Sequence, residues 1–333
     1  MPHLTTDDGI RLYYEEAGWG TPLVFVHEFA GDHRSWEPQM RTFSRTYRCI
    51  AYNARGYPPS DVPEDPTAYG WERSVDDIAA VMNGLGIDRS HVVGLSMGAY
   101  AALQFGLRYP QRVTAIVAAA AGSGSSPSGR HAWLRETSIL ARAFAERGPA
   151  TIAEKIATSA ARIQLKYKDP KRWQEFTKQL RHQSGKGMSN TVIRCQALRP
   201  SLHDLRDQFA TMTTPVLLIV GDEDAACLET NLMLKATLPN AGLWISPNTG
   251  HSINLEEPAA FNSHLEAFLG AVERRSWRRF YTTMKAASRR LSLEHKPDVH
   301  APIHVSQERR DTNVISLHQA NRTADISPSE VPP

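Results

Sequence analysis

A rhythm of short apolar runs separated by helical periodicities constrains this chain more than any other feature. Ile10-Arg11-Leu12-Tyr13-Tyr14 alternates at period two, Leu23 to Val26 is continuously apolar, and Cys49 to Tyr52 is nearly so. Val92-Val93, Val113 to Val117, Val216 to Val220 and Leu243 to Ile245 continue the series. Length and β-branched content make each a strand. Between two of them, Val75, Ile78, Ala79, Met82 and Leu85 share one face of a helix. Strands apolar on both faces need cover on both sides. The expected fold is therefore α/β, a mostly parallel central sheet with helices on both faces.

The rhythm breaks between about Gly122 and Thr214. Gly122 to Gly129 is a Gly/Ser/Pro loop, and the segments after it are helical and rich in Arg, Lys, Gln and Ala. Strand-like runs resume at Pro215. Residues 1–122 and 214–270 thus read as two parts of one core, and 123–213 as an inserted helical cap. The periodicity of the core stops after Gly270. Residues 271–295 read as a basic amphipathic helix, and 296–333, rich in Pro, Ser, Thr and His, as a disordered tail.

Composition matters mainly for what it excludes. The chain has 333 residues, 41% hydrophobic and 22% charged, which suits a globular domain with a sizeable core and excludes a collagen or a coiled coil. Cys49, Cys195 and Cys227 are odd in number and widely spaced, so neither a disulfide framework nor a zinc ribbon is expected. The first sixteen residues lack the apolar segment of a signal peptide, and a cytoplasmic protein is expected. The net charge of +3 is unevenly placed: residues 271–333 hold 11 Lys+Arg against 7 Asp+Glu, the other 270 hold 27 against 28. On a helical wheel, Trp277, Phe280, Tyr281, Met284, Ala287 and Leu291 fall within about 120°, and the basic residues of 274–291 lie outside that arc. Such a segment suits weak contact with an anionic membrane, or packing back on the core with its arginines in water. The core carries no positive excess, so no nucleic-acid partner is expected.

Gly94-Leu95-Ser96-Met97-Gly98 is G-x-S-x-G. His91-Val92-Val93 before it reads as a strand and Ala99 to Arg108 after it as a helix, the context of a nucleophile elbow. The alternative is a glycine-rich turn with an incidental serine. A serine hydroxyl needs a base and an orienting acid. Both follow in order: Gly221-Asp222-Glu223-Asp224 after one strand, and Pro247-Asn248-Thr249-Gly250-His251 after another. Loops past the C-terminal ends of parallel strands are where open α/β sheets hold their sites.

With these residues in hand, the sequence resembles the α/β-hydrolase fold superfamily over roughly residues 4–122 and 213–270. His27-Glu28-Phe29-Ala30-Gly31, Asn53-Ala54-Arg55-Gly56 and Thr249-Gly250-His251 are similar to the family's HGxxG, DxRGxG and GH signatures. The stretch from Asp32 through Trp36-Glu37-Pro38-Gln39 resembles enol-lactonase and small-ester-hydrolase members. The resemblance implies a Ser96–His251–Asp224 triad, with Asp224 rather than Asp222 as the acid and Asp222 bonding the turn. It also implies an oxyanion hole made by the backbone N–H groups of Phe29 and Met97.

The sequence departs from the family pattern at Glu28, where a glycine is usual because the backbone approaches the substrate and takes positive φ. Glu28 is then a site modulator that selects cationic groups, orders a water or pairs with Arg55; alternatively its side chain turns aside. Asn53 and Pro58-Pro59 depart as well. His27-Glu28 does not begin HExxH, since residue 31 is glycine, and Gly185-Lys186-Gly187 lacks the upstream glycine of a P-loop. His33 and Trp36 read as packing the loop over the site. No metal or cofactor is expected. The implied activity is hydrolysis of an ester, thioester or lactone of a small molecule through an acyl-enzyme on Ser96. C–C bond hydrolysis or cofactor-free oxygenation on the same triad, and a non-enzymatic ligand-binding protein on this scaffold, are the alternatives. Oligomeric state is not legible.

Overall fold

The computed structural model describes residues 2–277. Eight strands form one sheet: β1 (His3–Thr5), β2 (Arg11–Ala17), β3 (Thr21–Val26), β4 (Tyr47–Tyr52), β5 (Ser90–Leu95), β6 (Val113–Ala119), β7 (Val216–Gly221) and β8 (Ala241–Ser246). Their order is β1-β2-β4-β3-β5-β6-β7-β8; the pairs made by β2 are antiparallel and all others parallel. The expected strand runs lie in these strands except for Ile10, which precedes β2, and β1 is an addition too short to show a pattern in sequence.

The two-sided apolar pattern does what it predicts. In β3, Leu23 and Phe25 enter one core while Val24 and Val26 enter the other, and all four are buried. Burying one such side chain contributes about 1.5–3 kcal/mol, so losing cover on either face would be costly. The first core lies under α2 (Trp71–Gly84) and α3 (Met97–Arg108), the second under α1 (Glu37–Phe43).

From β6 to β7 every regular element is helical: α4 (Arg130–Arg147), α5 (Pro149–Ala157), α6 (Ile163–Lys168), α7 (Pro170–Arg181), α8 (Gly185–Asn190), a π-helical turn over Thr191–Gln196, and α9 (Arg206–Thr211). The start of α7 shows how locally these are set. Asp169 accepts from the Arg172 N–H as N-cap, and Pro170 follows where its missing N–H costs nothing. The cap buries Phe144, Ile152, Leu165, Phe176 and Leu180 against one another and against Phe29, Tyr57, Met97 and Leu255 of the core. This third cluster seals the cap over the C-terminal ends of β3 and β5.

The chain returns through α10 (Ala225–Thr237), α11 (Ile253–Glu256) and α12 (Pro258–Glu273). The helix expected from residue 271 onward is not a separate element where it can be described. Residues 271–273 end α12, Arg275 takes φ +56°, and Trp277 folds back with its indole N–H on the Asn240 carbonyl (3.1 Å) and its ring edge-on to Phe268. Trp277 is thus part of the second core rather than of a free aromatic stripe. Residues 278–295 and the expected disordered tail lie outside the described residues. No described helix is long and apolar enough to cross a membrane.

Candidate active site

Ser96 sits between β5 and α3 with φ +54° and ψ −108°, a strained conformation for a residue with a side chain. The turn is possible because its flanks are glycines. A Cβ on Gly94 would lie 2.2 Å from the Gly98 carbonyl oxygen, and one on Gly98 would lie 2.0 Å from that of Val26. Small residues are therefore required two before and two after the serine.

The structure brings the three expected side chains together. His251 Nε2 lies 2.7 Å from Ser96 Oγ, and His251 Nδ1 lies 2.7 Å from Asp224 Oδ2. Asp224 and His251 are buried and Ser96 is partly open. Burial pushes the Asp224 carboxyl up, but the charge and hydrogen bond of His251 prevail and hold it below its ordinary value. Asp222 Oδ1 instead accepts the Thr249 N–H at 3.1 Å, inside the turn that carries the histidine.

Phe29 owes its orientation to His27. The Ala54 N–H donates to His27 Nε2 (3.0 Å), which leaves Nδ1 as the protonated nitrogen, and Nδ1–H donates to the Glu28 carbonyl at 2.7 Å. Burial lowers the His27 pKa, in keeping with a neutral ring. A trans peptide points its C=O and N–H in opposite directions, so the carbonyl held by His27 turns the Phe29 N–H the other way. The Tyr57 hydroxyl fixes the next carbonyl, that of Phe29, at 2.8 Å. Met97 is the first residue of α3, and its N–H is among those a helix leaves unpaired.

Glu28 departs from expectation in two ways. It has no positive φ, so glycine is not required there. Its carboxylate is fully buried and meets Arg162 of the cap (Oε2 to Nη1, 2.6 Å), not Arg55. Arg55 is taken up by Asp77 through two hydrogen bonds and by Asp8 through two more. The Glu28–Arg162 approach lacks hydrogen-bond geometry, and neither Glu28 oxygen receives a donor. Arg162 Nη1 donates to Ser252 Oγ, beside the histidine. Asn53 receives the N–H and Nδ1 of His33, and Trp36 is buried against Phe25 and Phe261, so both residues do pack this loop.

Three further contributors escape sequence reasoning. Glu256 accepts the N–H of Gly250 at 2.6 Å and that of Ser252 at 3.0 Å, gripping the peptide on each side of His251. Ala161 of the cap accepts the His251 N–H. Cys227, its thiol pKa pushed up by burial, lies 3.9 Å from His251 Nδ1. Asp224, Cys227 and His251 offer ligand atoms within 4.8 Å of one another, but Asp224 and His251 already spend theirs on each other. A cleft of about 440 Å³ between α7 and the segment His33–Arg41, which includes the start of α1, contains none of the triad.

Fold and site together define the class: a mostly parallel, doubly covered sheet with Ser, Asp and His on loops beyond its strand ends. The chain belongs to the α/β hydrolase fold family, whose model matches residues 21–258. It is 25% identical over 251 residues to 3-oxoadipate enol-lactonase 1 of Acinetobacter baylyi, covering 75% of this chain and 89% of that one. It is 29% identical over 280 residues to a putative carbamate hydrolase of a Caulobacter species, covering 79% and 97%. The crystal structure of an enol-lactonase from Burkholderia xenovorans LB400 superposes with a TM-score of 0.71 at 21% identity, covering 81% and 100%. The protein is a hydrolase.

Proposed function

We propose that the protein hydrolyses an ester, thioester or lactone of a small molecule through an acyl-enzyme on Ser96. The observation that carries this reading is the unbroken chain Ser96 Oγ–His251 Nε2, His251 Nδ1–Asp224 Oδ2, each contact 2.7 Å. Ser96 Oγ attacks the carbonyl carbon as His251 Nε2 takes its proton. Asp224 receives Nδ1–H, holds the ring in the required tautomer and stabilises the imidazolium. The oxyanion forms between the Phe29 and Met97 N–H groups, each contributing about 3 kcal/mol to the transition state. His251 returns its proton to the leaving group, and water then attacks the acyl-enzyme by the same route in reverse.

A fluorophosphonate probe tests this. Wild type should be labelled on Ser96 and should turn over members of an ester panel, and Ser96→Ala should lose both labelling and turnover. A Ser96→Ala protein that keeps a tenth of the wild-type rate would overturn the mechanism.

A further inference from the structure

Three arginines are buried among the described residues: Arg55, Arg162 and Arg199. Arg55 is compensated by Asp8 and Asp77, and Arg162 by Glu28. Arg199 is only 4% exposed, yet no described Asp or Glu comes within ion-pairing distance of it. Its guanidinium carbon lies 4.7 Å from the Tyr100 ring centroid and 5.4 Å from that of Trp133. Nη2 donates to the Ser123 carbonyl at 2.7 Å, while Nε and Nη1 find no acceptor. A second guanidinium, that of Arg130, stands 5.1 Å from the same Trp133 ring and donates to the carbonyls of Gly124, Ala197 and Arg199, again without a carboxylate. Aromatic faces offset only part of the cost of burying a cation, and unfilled donors add to it. Two cations around one indole, with no counter-charge among the described residues, form an electrostatic arrangement that an anion from outside would complete.

The cluster adjoins the site already described, by two routes. The Tyr100 N–H donates to the Ser96 carbonyl at 3.0 Å. Ser123 Oγ lies 3.4 Å from Cys227 Sγ, which is 3.9 Å from His251 Nδ1. One residue, Tyr100, therefore links Arg199 to the serine, and two, Ser123 and Cys227, link it to the histidine. The buried Glu28 carboxylate is met by Arg162 and not by Arg199.

We propose that Arg199, backed by Arg130, is an anion subsite that receives a carboxylate carried by the substrate. This rests on the reading of Ser96 as the nucleophile of an ester hydrolase. It narrows the substrate class to esters or lactones that bear a free acid on the acyl or the leaving group.

The test compares acid-bearing and neutral esters of matched size. The p-nitrophenyl monoesters of glutaric and adipic acid are set against p-nitrophenyl pentanoate and hexanoate, and 4-acetoxybenzoate against phenyl acetate. Wild type should prefer the acid in at least one series. Arg199→Gln should cut that preference, as a ratio of kcat/KM, by about tenfold or more, mainly through KM. Arg199→Lys should retain part of it, since it keeps the charge but not the fork. Indifference of wild type to the acid in both series, or equal losses on acidic and neutral esters in Arg199→Gln, overturns the proposal. A measurement on the Ser96→Ala full chain needs no change at Arg199: glutarate and adipate should raise its melting temperature and 1,5-pentanediol at equal ionic strength should not. No shift with either diacid overturns the subsite. Absence of turnover on every ester, with diacid binding intact, would instead count against the ester-hydrolase reading.

Discussion

The backbone N–H of His251 donates to the carbonyl of Ala161 at 2.6 Å, so a residue of the cap holds the loop that carries the histidine. The contact is possible because residue 250 is glycine. A Cβ there would lie 2.5 Å from the Ala161 oxygen and 2.6 Å from Gln164 Oε1. Gly250→Ala should push the cap away and displace the imidazole, lowering kcat by about 10- to 100-fold while the far-ultraviolet dichroism stays native. An unchanged kcat would mean that the cap covers the histidine without positioning it.

Asp222 and Asp224 are separated by one residue, and their partners distinguish them. Asp224→Asn should cost about 10⁴ in kcat on a good ester, because the amide imposes the wrong tautomer on His251. Asp222→Asn should cost under about tenfold, since its carboxylate only accepts the Thr249 N–H. Steady-state kinetics on the two variants decide the assignment, and the reverse ranking would exchange their roles.

Glu28 and Arg162 fasten the cap to the core. Removing one partner leaves the other charge buried alone, so Glu28→Leu and Arg162→Met should each destabilise by about 3–5 kcal/mol in urea unfolding. The double variant should recover most of that loss, because two apolar side chains replace the pair. Additive losses would mean that the two charges do not interact.

Acid should weaken the fold through Asp8. Hydrogen bonds from Arg55 hold its carboxyl at about 2, below the ordinary 3.8. A depressed folded-state pKa makes the ionised form the stabilising one. The contribution is fully present above about pH 4 and is lost as pH falls through 2. Asp8 is partly open to solvent, so the contribution is about 1–2 kcal/mol after screening. Stability curves from pH 5 to pH 2 should be flatter for Asp8→Asn than for wild type, and parallel curves would sink the assignment.

Trp277, the last described residue, packs edge-on against Phe268 in the second core. Ending the chain after Trp277 should keep ester turnover, whereas ending it after Gly270 uncovers Phe268 and should cost about 3 kcal/mol or more in stability. The proposed anionic-membrane contact of residues 274–291 is checked on the same truncations by vesicle co-sedimentation. Binding should occur with anionic but not neutral vesicles, fail in high salt, and disappear when residues 278–333 are removed.

Much of this protein is legible in one dimension. Period-two and period-3.6 patterns report burial locally, which is why Leu23 to Val26 and the run from Val75 to Met82 fall where expected. Gly94 and Gly98 announce the strained turn at Ser96, because only small residues fit around it. Strand order, the partners of charges and the direction of single peptides are different in kind. They depend on distances between residues far apart in the chain. Glu28 could be suspected from its place beside His27, but its partner Arg162 is 134 residues away and belongs to the cap. Glu256 and Ala161 show no motif, since one acts through a carboxylate on backbone amides and the other through its own carbonyl. Arg199 reads in sequence as one cation among 38 Lys and Arg. Only folding decides that it is buried and that no described acid comes with it, because the compensation of a charge depends on everything within a few ångströms and not on its neighbours in the chain.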